Sequence, residues 1–145
     1  MSANIQPIFP LTPKISWGTV TTAAPVAASN HDGTTTYAVC IFTAGVNGSR
    51  IDEIKALPLG TNVASDLRIF INNGNANTMA SDNVLYADVA LPAITINETL
   101  GQSEVIIRQP NDNRSIVLPP NYKIYATVGT TIAAGWEVVV QGGDF

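Results

Sequence analysis

The fold is decided by the stretch YKIYATVGTTIAAGWEVVVQ, residues 122–141. In both halves of this stretch every second residue is apolar: Tyr122, Ile124, Ala126 and Val128, then Trp136, Val138 and Val140. A period of two is typical of a β-strand that buries one face. Gly129 and Gly135 mark the connection between the two runs. The stretch therefore predicts two consecutive strands joined by a loop.

Short runs of the same kind recur along the rest of the chain. They lie at 15–20, 37–42, 67–72, 85–91, 105–107 and 116–118, and Asn, Gly and Pro residues separate them. About eight or nine strands with no strong helix favour an all-β fold. We expect a single antiparallel β-sandwich of jelly-roll type.

The segment Ser49–Leu57 is ambiguous. Ser49 followed by Asp52 could begin a helix as a capping box, and Ile51 and Ile54 have helical spacing. A strand with a bulge near Asp52-Glu53 would instead place Ile51 and Ile54 on one face. We interpret the segment as a bulged strand, with a short helix as the alternative.

The N-terminal residues differ in composition from the rest. Pro7, Pro10 and Pro13 disfavour both helix and sheet pairing, so residues 1–13 are predicted to form an extended arm before a domain at 14–145. The arm carries four large apolar side chains suited to docking on a neighbouring molecule: Ile5, Ile8, Phe9 and Leu11. A frayed terminus is the alternative.

Composition and charge exclude several classes of protein. The chain has seven Lys and Arg and eleven Asp and Glu among 145 residues, so its net charge of −4 argues against nucleic-acid binding. Its one cysteine, Cys40, excludes an internal disulfide and a cysteine zinc site. It has no apolar run long enough to cross a membrane, and residues 1–6 do not resemble a signal peptide. Charged residues make up only 12%, which suits a surface packed against other proteins.

No catalytic arrangement stands out. The one histidine, His31, lies in a turn-like Asn-His-Asp-Gly stretch, and no G-x-S-x-G motif supplies a nucleophile. Asp52 and Glu53 are adjacent, so on a strand they would point to opposite faces. The Asn-rich stretches 72–82 and 111–113 contain one carboxylate each, which is poor for a cation. We therefore expect no enzyme activity, no cofactor and no metal.

The phase of the alternation divides the aromatic residues into two sets. Trp17, Trp136, Tyr37 and Tyr122 fall on the apolar phase and are expected in the core. Cys40, in the middle of an apolar run, is expected to be buried with them. The opposite phase is expected to face outward and to form a protein interface: Phe70, Tyr86, Tyr125 and Val139.

Several short segments, each combining strand and turn residues, together resemble a known class of protein. They are Gly45–Ile51, Leu59–Asn62, Leu67–Gly74, Leu118–Tyr122, Gly135–Val138 and Gly142–Phe145. Over roughly residues 36–145 the chain resembles small structural proteins of tailed bacteriophages and prophages. These are β-sandwich or jelly-roll proteins that decorate or cement capsids.

The resemblance implies a virion protein on the capsid surface, assembled in the host cytoplasm. Its implied partner is the major capsid protein, whose subunits it would bridge, and its implied state is a homotrimer. A head-fibre, tail or baseplate protein would carry the same features. A carbohydrate-binding module is a further alternative, in which replacing Tyr86 or Tyr125 would abolish glycan binding.

Overall fold

A computed structural model describes residues 9–21, 37–109 and 115–145. These residues form nine β-strands and one three-residue 3₁₀ turn, at Ala80–Asp82. The strands are β1 (Thr12–Val20), β2 (Val39–Thr43), β3 (Ser49–Pro58), β4 (Ser65–Asn72), β5 (Asn83–Leu91), β6 (Val105–Arg108), β7 (Ile116–Leu118), β8 (Lys123–Val128) and β9 (Trp136–Asp144). The predicted all-β fold and the number of strands are confirmed.

The strands form two antiparallel sheets that pack as a β-sandwich. One sheet has the order β1-β9-β3-β6, and the other has the order β2-β8-β4-β5. The short strand β7 completes the first sheet. It pairs with Ser49–Ile51 at the start of β3, while β6 pairs with Ile54–Ala56 further along the same edge. Within the described ranges, β1 is therefore one edge of the five-stranded sheet.

The core lies between the two sheets and is built from the period-two residues. The five-stranded sheet contributes Ile51, Ile54, Ala56, Trp136, Val138 and Val140. The four-stranded sheet contributes Leu67, Ile69, Ile124, Ala126 and Val128. All of these side chains are fully buried, and burial of this apolar area is the main term that stabilises the fold.

Two bulges change which side chains face inward. In β3 the register with β9 shifts between Ile51 and Glu53, and both Ile51 and Ile54 are buried, which confirms the bulged strand at Ser49–Leu57. In β2 a shift between Cys40 and Phe42 buries Ile41 and Phe42 together. Cys40 lies on the other side and is exposed, so its predicted burial is wrong.

The N-terminal part of the described chain enters the sandwich early. Thr12 and Pro13 already pair with Asp144 and Gly143, two residues before the predicted boundary of the arm. Residues 1–8, with Ile5 and Ile8, lie outside the described residues. Among the residues that the structure covers, no helix is long and apolar enough to cross a membrane.

Candidate interaction surface

The outer face of the four-stranded sheet is not the open surface that the alternation predicts. Phe70 points away from the core, as expected, with Tyr125 and Leu85 as its cross-strand neighbours, yet its exposed fraction is 0%. Thr127 and Asn72 on the same face are also buried. Phe70 is therefore not part of an exposed surface. Its burial could not be read from the period-two pattern, because alternation fixes the direction of a side chain and not what covers it.

A buried arginine lies on this same face. Arg68 Nη2 is 2.7 Å from Asp66 Oδ2, and Arg68 Nε is 3.9 Å from Asp88 Oδ2. Arg68 is only 6% exposed, and a buried cation requires compensating negative charge. The two carboxylates supply that charge. The positive charge of Arg68 is therefore balanced within the protein.

The two tyrosines predicted to face outward are both half-buried. Tyr86 occupies the position where β5 bulges against β4, packs against the core, and lies under the Arg108 guanidinium, 5.4 Å from the ring centroid. Tyr125 lies opposite Cys40, and burial, with a smaller effect of the Cys40 charge, raises the pKa of its phenol. By strand register Tyr125 shares the outer face with Phe70 and Cys40, whereas Tyr86 packs against the core, and neither ring is fully open to solvent.

One group of exposed apolar side chains lies on the five-stranded sheet. Ile15 and Trp17 of β1 are 59% and 62% exposed, and Leu11, just before the strand, is 82% exposed. Val139 of β9 lies directly opposite Trp17 and is half-buried on the same outer face. We name these four residues the β1 stripe. Apolar side chains grouped in this way on a protein surface commonly mark an interaction site.

Trp17 was expected in the core, and the reason it is not lies in its neighbours. Gly18 faces inward, where a Cβ atom would lie 2.8 Å from Val39 Cγ1 and 2.9 Å from Ile41 Cγ2. β1 therefore packs so closely on β2 that only small inward residues fit there. At Gly18 the strand has no side chain on its inward face, and Ile15 and Trp17 lie on the opposite, outward face.

A hydrogen-bonded cluster at one end of the sandwich holds β1 in this orientation. Lys14 points inward, where its Nζ donates to Thr43 O at 2.6 Å and to Asp144 Oδ2 at 3.1 Å. The same ammonium lies 4.8 Å from the centroid of the Phe42 ring, a cation–π contact. The hydroxyl of buried Ser49 donates to the other oxygen of Asp144. We name Lys14, Ser49 and Asp144 the end cluster.

The electrostatics of the end cluster favour an ionised carboxylate. Partial burial acts to raise the pKa of Asp144, but the hydrogen bonds from Ser49 and Lys14 and the positive charge of Lys14 outweigh it. The pKa of Asp144 is consequently lower than its ordinary value. The charge of Lys14 is thus paired with a carboxylate at the end of the sandwich.

Polar side chains border the β1 stripe on its far side. Lys55 lies next to Val139 across the β3–β9 pair, with its Nζ 3.2 Å from Glu53 Oε1 and 3.5 Å from Glu104 Oε2. A hydrogen bond and the negative charge of Glu53, followed by that of Glu104, raise the pKa of Lys55. An apolar centre with a charged rim is the usual composition of a protein–protein interface.

The predicted arm residues that the structure covers extend the same surface. Phe9 is 64% exposed, and the Leu11 backbone N–H donates to Asp144 O at 2.8 Å, which continues the line of β1 along β9. Phe9 and Leu11 are therefore exposed, and their docking on a neighbouring molecule stays a prediction.

The other candidate sites are weaker. In the Asn-rich loop after β4, Asp82 Oδ1 accepts hydrogen bonds from Asn73 Nδ2 at 3.0 Å and Asn75 Nδ2 at 2.9 Å, so its carboxylate is already used. No group of three His, Cys, Asp or Glu residues arranged for a metal occurs within 9–21, 37–109 or 115–145. His31 and Asn111–Asn113 lie outside these ranges.

One open groove lies at the end of the sandwich near β7. It has a volume of about 460 Å³, and its walls are Asn47, Arg50, Ser115, Val117 and Phe145. Arg50 is its only cationic side chain, and Arg50 Nε is already 2.7 Å from Asp52 Oδ1. The groove therefore offers an anionic ligand little free charge.

Comparison of the chain with protein-family models, with curated proteins and with solved structures gives no match. The β1 stripe thus stands on its own geometry as the candidate functional surface.

Proposed function

We propose that this chain is a structural protein of a bacteriophage particle, a capsid decoration or cement protein. It binds the icosahedral shell and stabilises it by bridging subunits of the major capsid protein. The observation that carries the proposal is the β1 stripe, an exposed apolar surface on the five-stranded sheet. The strand-and-turn segments within residues 36–145, which resemble those of capsid decoration proteins, also support the proposal.

The order of the strands supports a sandwich of jelly-roll type. With β7 set aside, eight strands divide into β1-β9-β3-β6 and β2-β8-β4-β5. Only the connection from β4 to β5 joins hydrogen-bonded neighbours, and the other links along these eight strands cross between the sheets. Eight strands in two such sheets are characteristic of jelly rolls, an architecture used by viral capsid proteins and lectins.

The lectin-like alternative receives less support than the virion role. The two tyrosines that were expected to bind a sugar, Tyr86 and Tyr125, are half-buried. The homotrimer stays a prediction, and of the residues expected to form its contact Phe70 is buried and cannot contribute. A structure of the particle would show whether the protein occupies the head, a fibre or the tail.

The test is binding to particles that lack the protein. Particles produced from a genome with this gene deleted are mixed with the purified wild-type chain and sedimented. We expect saturable binding in a fixed ratio to the major capsid protein. The double variant Ile15→Ser/Trp17→Ser should bind at least tenfold more weakly, because it removes the two largest side chains in the centre of the β1 stripe.

A matched control uses exposed apolar residues elsewhere. Val46, in the turn between β2 and β3, is 80% exposed, and Val63, before β4, is 56% exposed. The variant Val46→Ser/Val63→Ser should bind as the wild type does. Absence of wild-type binding, or equal weakening of both double variants, would contradict the proposal.

A further inference from the structure

Among the described residues, one side of β1 carries no paired strand. β1 pairs with β9 along its full length, and the described part of the chain places no strand on its other side. An exposed edge displays unpaired backbone N–H and C=O groups that can pair with another strand. Proteins usually protect such edges with proline or charge. Here Pro13 and Lys14 occupy only the first part of the strand.

The remainder of β1 carries no charge that would repel an identical strand. From Ile15 to Val20 every residue is neutral, and the charge of Lys14 is bound internally by Asp144. Two copies of this edge can therefore approach without like-charge repulsion. Two copies of this neutral edge match each other, because neither strand has to desolvate or oppose a charge when Ile15–Val20 pairs.

The position of Pro13 sets the register between two copies. The proline-free part of β1 is Lys14–Val20, and Trp17 is its central residue. When two such segments overlap completely as antiparallel strands, Trp17 lies opposite Trp17 of the second copy. Ile15 then lies opposite Thr19 of the second copy, and Ser16 opposite Gly18. Residues opposite each other in an antiparallel pair share a face, so the apolar side chains of both copies meet on the outer face.

We propose that β1 is a self-association edge through which two copies of the chain pair across a two-fold axis at Trp17. The two five-stranded sheets then continue into one sheet across the two molecules, an arrangement known as β-augmentation. A two-fold contact of this kind is self-complementary and joins copies in pairs. It does not depend on the particle, so it goes beyond the proposed function.

The apolar area available at this contact is modest. Each Trp17 exposes 62% of its side chain, which corresponds to roughly 150 Å² per copy. Stable interfaces of standard size bury about 1,600 Å² in total, so an edge contact centred on Trp17 gives a weak, reversible pair. Sedimentation of the wild-type chain should show a mass of twice 15.3 kDa at tens of micromolar that dissociates on dilution.

Disulfide trapping tests the register directly. The background variant Cys40→Ser removes the native thiol, and Trp17→Cys is added to it. Directly opposite residues have Cβ atoms about 4.5–5.5 Å apart, close to disulfide geometry. Mild oxidation should therefore convert most of the Trp17→Cys protein to a covalent dimer. Ile15→Cys alone should not cross-link, since its two copies lie about 14 Å apart along the strands.

A mixture of Ile15→Cys and Thr19→Cys should form the mixed dimer that neither variant forms alone. These results together would support the two-fold pair. Equal cross-linking of Trp17→Cys and Ile15→Cys would overturn the register. A wild-type chain that is only monomeric or only trimeric at tens of micromolar, with no cross-link at Trp17→Cys, would overturn the proposal. Particle binding by the monomer would leave the capsid role intact in that case.

Discussion

Replacing Asp144 by asparagine tests the end cluster that fixes the orientation of β1. The change removes the negative charge that pairs with Lys14 and weakens the acceptor of the buried Ser49 hydroxyl. A hydrogen bond to a charged group contributes about 1.5–3 kcal/mol when it is well buried. The Lys14 and Asp144 side chains are 31% and 24% exposed, so their ion pair contributes nearer to 0.5–1 kcal/mol. We expect Asp144→Asn to lower the free energy of unfolding by about 1–2.5 kcal/mol at pH 7.

The pH dependence of this difference follows from the direction of the pKa shift. The pKa of Asp144 is lower in the folded than in the unfolded chain, so its stabilising effect is fully present above the unfolded value of about 3.8 and is lost as the pH falls through the folded value. Urea unfolding, followed by the fluorescence of buried Trp136, measures the difference between wild type and variant. The difference should be constant from pH 7 to about pH 5 and should shrink below about pH 3.8.

A matched carboxylate provides the control. Asp52 pairs with Arg50 at 2.7 Å, but both side chains are about one-third exposed. Asp52→Asn should cost less than about 1 kcal/mol, as exposed ion pairs do. A loss below about 0.5 kcal/mol for Asp144→Asn, or a difference that is unchanged at pH 3, would refute the assigned role of the end cluster.

Three further results are expected from the burial of single side chains. Trp136→Ala should lower the free energy of unfolding by about 3–5 kcal/mol, because Trp136 is fully buried. In the same urea titration Trp17→Ser should cost less than about 1 kcal/mol, because Trp17 is exposed. Similar losses for the two variants would mean that Trp17 belongs to the core. Phe70→Ala should also cost about 3–5 kcal/mol although Phe70 lies on an outer face, and a negligible loss would show that this face is open. Cys40 should react with a thiol reagent in the native protein, and protection that disappears only in urea would contradict its exposure.

The all-β fold was predictable because period-two alternation records which face of a strand is buried. In the central and neighbouring strands that face is covered by the other sheet, so Trp136, Val138 and Val140 were placed correctly. The bulge in Ser49–Leu57 was also predictable, since only an extra residue near Asp52 reconciles Ile51 and Ile54 on one face of a strand.

In the edge strand β1, alternation predicts the wrong set of residues for the core, because the close packing of one residue decides which side chains face inward. In β1 the period-two pattern predicts that the large residues Ile15 and Trp17 face the core. They lie on the outer face instead, because Gly18 approaches β2 closely. Cys40 was misplaced for a related reason, because a bulge one residue later shifts the inward positions to Ile41 and Phe42. The bulge in β2 leaves no signal in the local composition, so the sequence alone does not reveal the orientation of Cys40.

The candidate surface was predicted only in part. Val139 lies on the outer face as expected, and Phe9 and Leu11 are exposed, but the centre of the surface is Trp17, which the sequence assigned to the core. A signal for Trp17 was present in its neighbours. Ser16 and Gly18 are the small residues of the strand, and small residues are what an inward face needs when two sheets approach closely.

The most direct test of the account is an electron cryomicroscopy map of the particle produced by the genome that encodes this chain. We expect density for the β-sandwich at repeated symmetric positions on the shell. In that density the outer face of the five-stranded sheet should lie against a neighbouring subunit, with Trp17 buried in the contact. A particle without this protein, or one in which Trp17 faces solvent, would contradict the account.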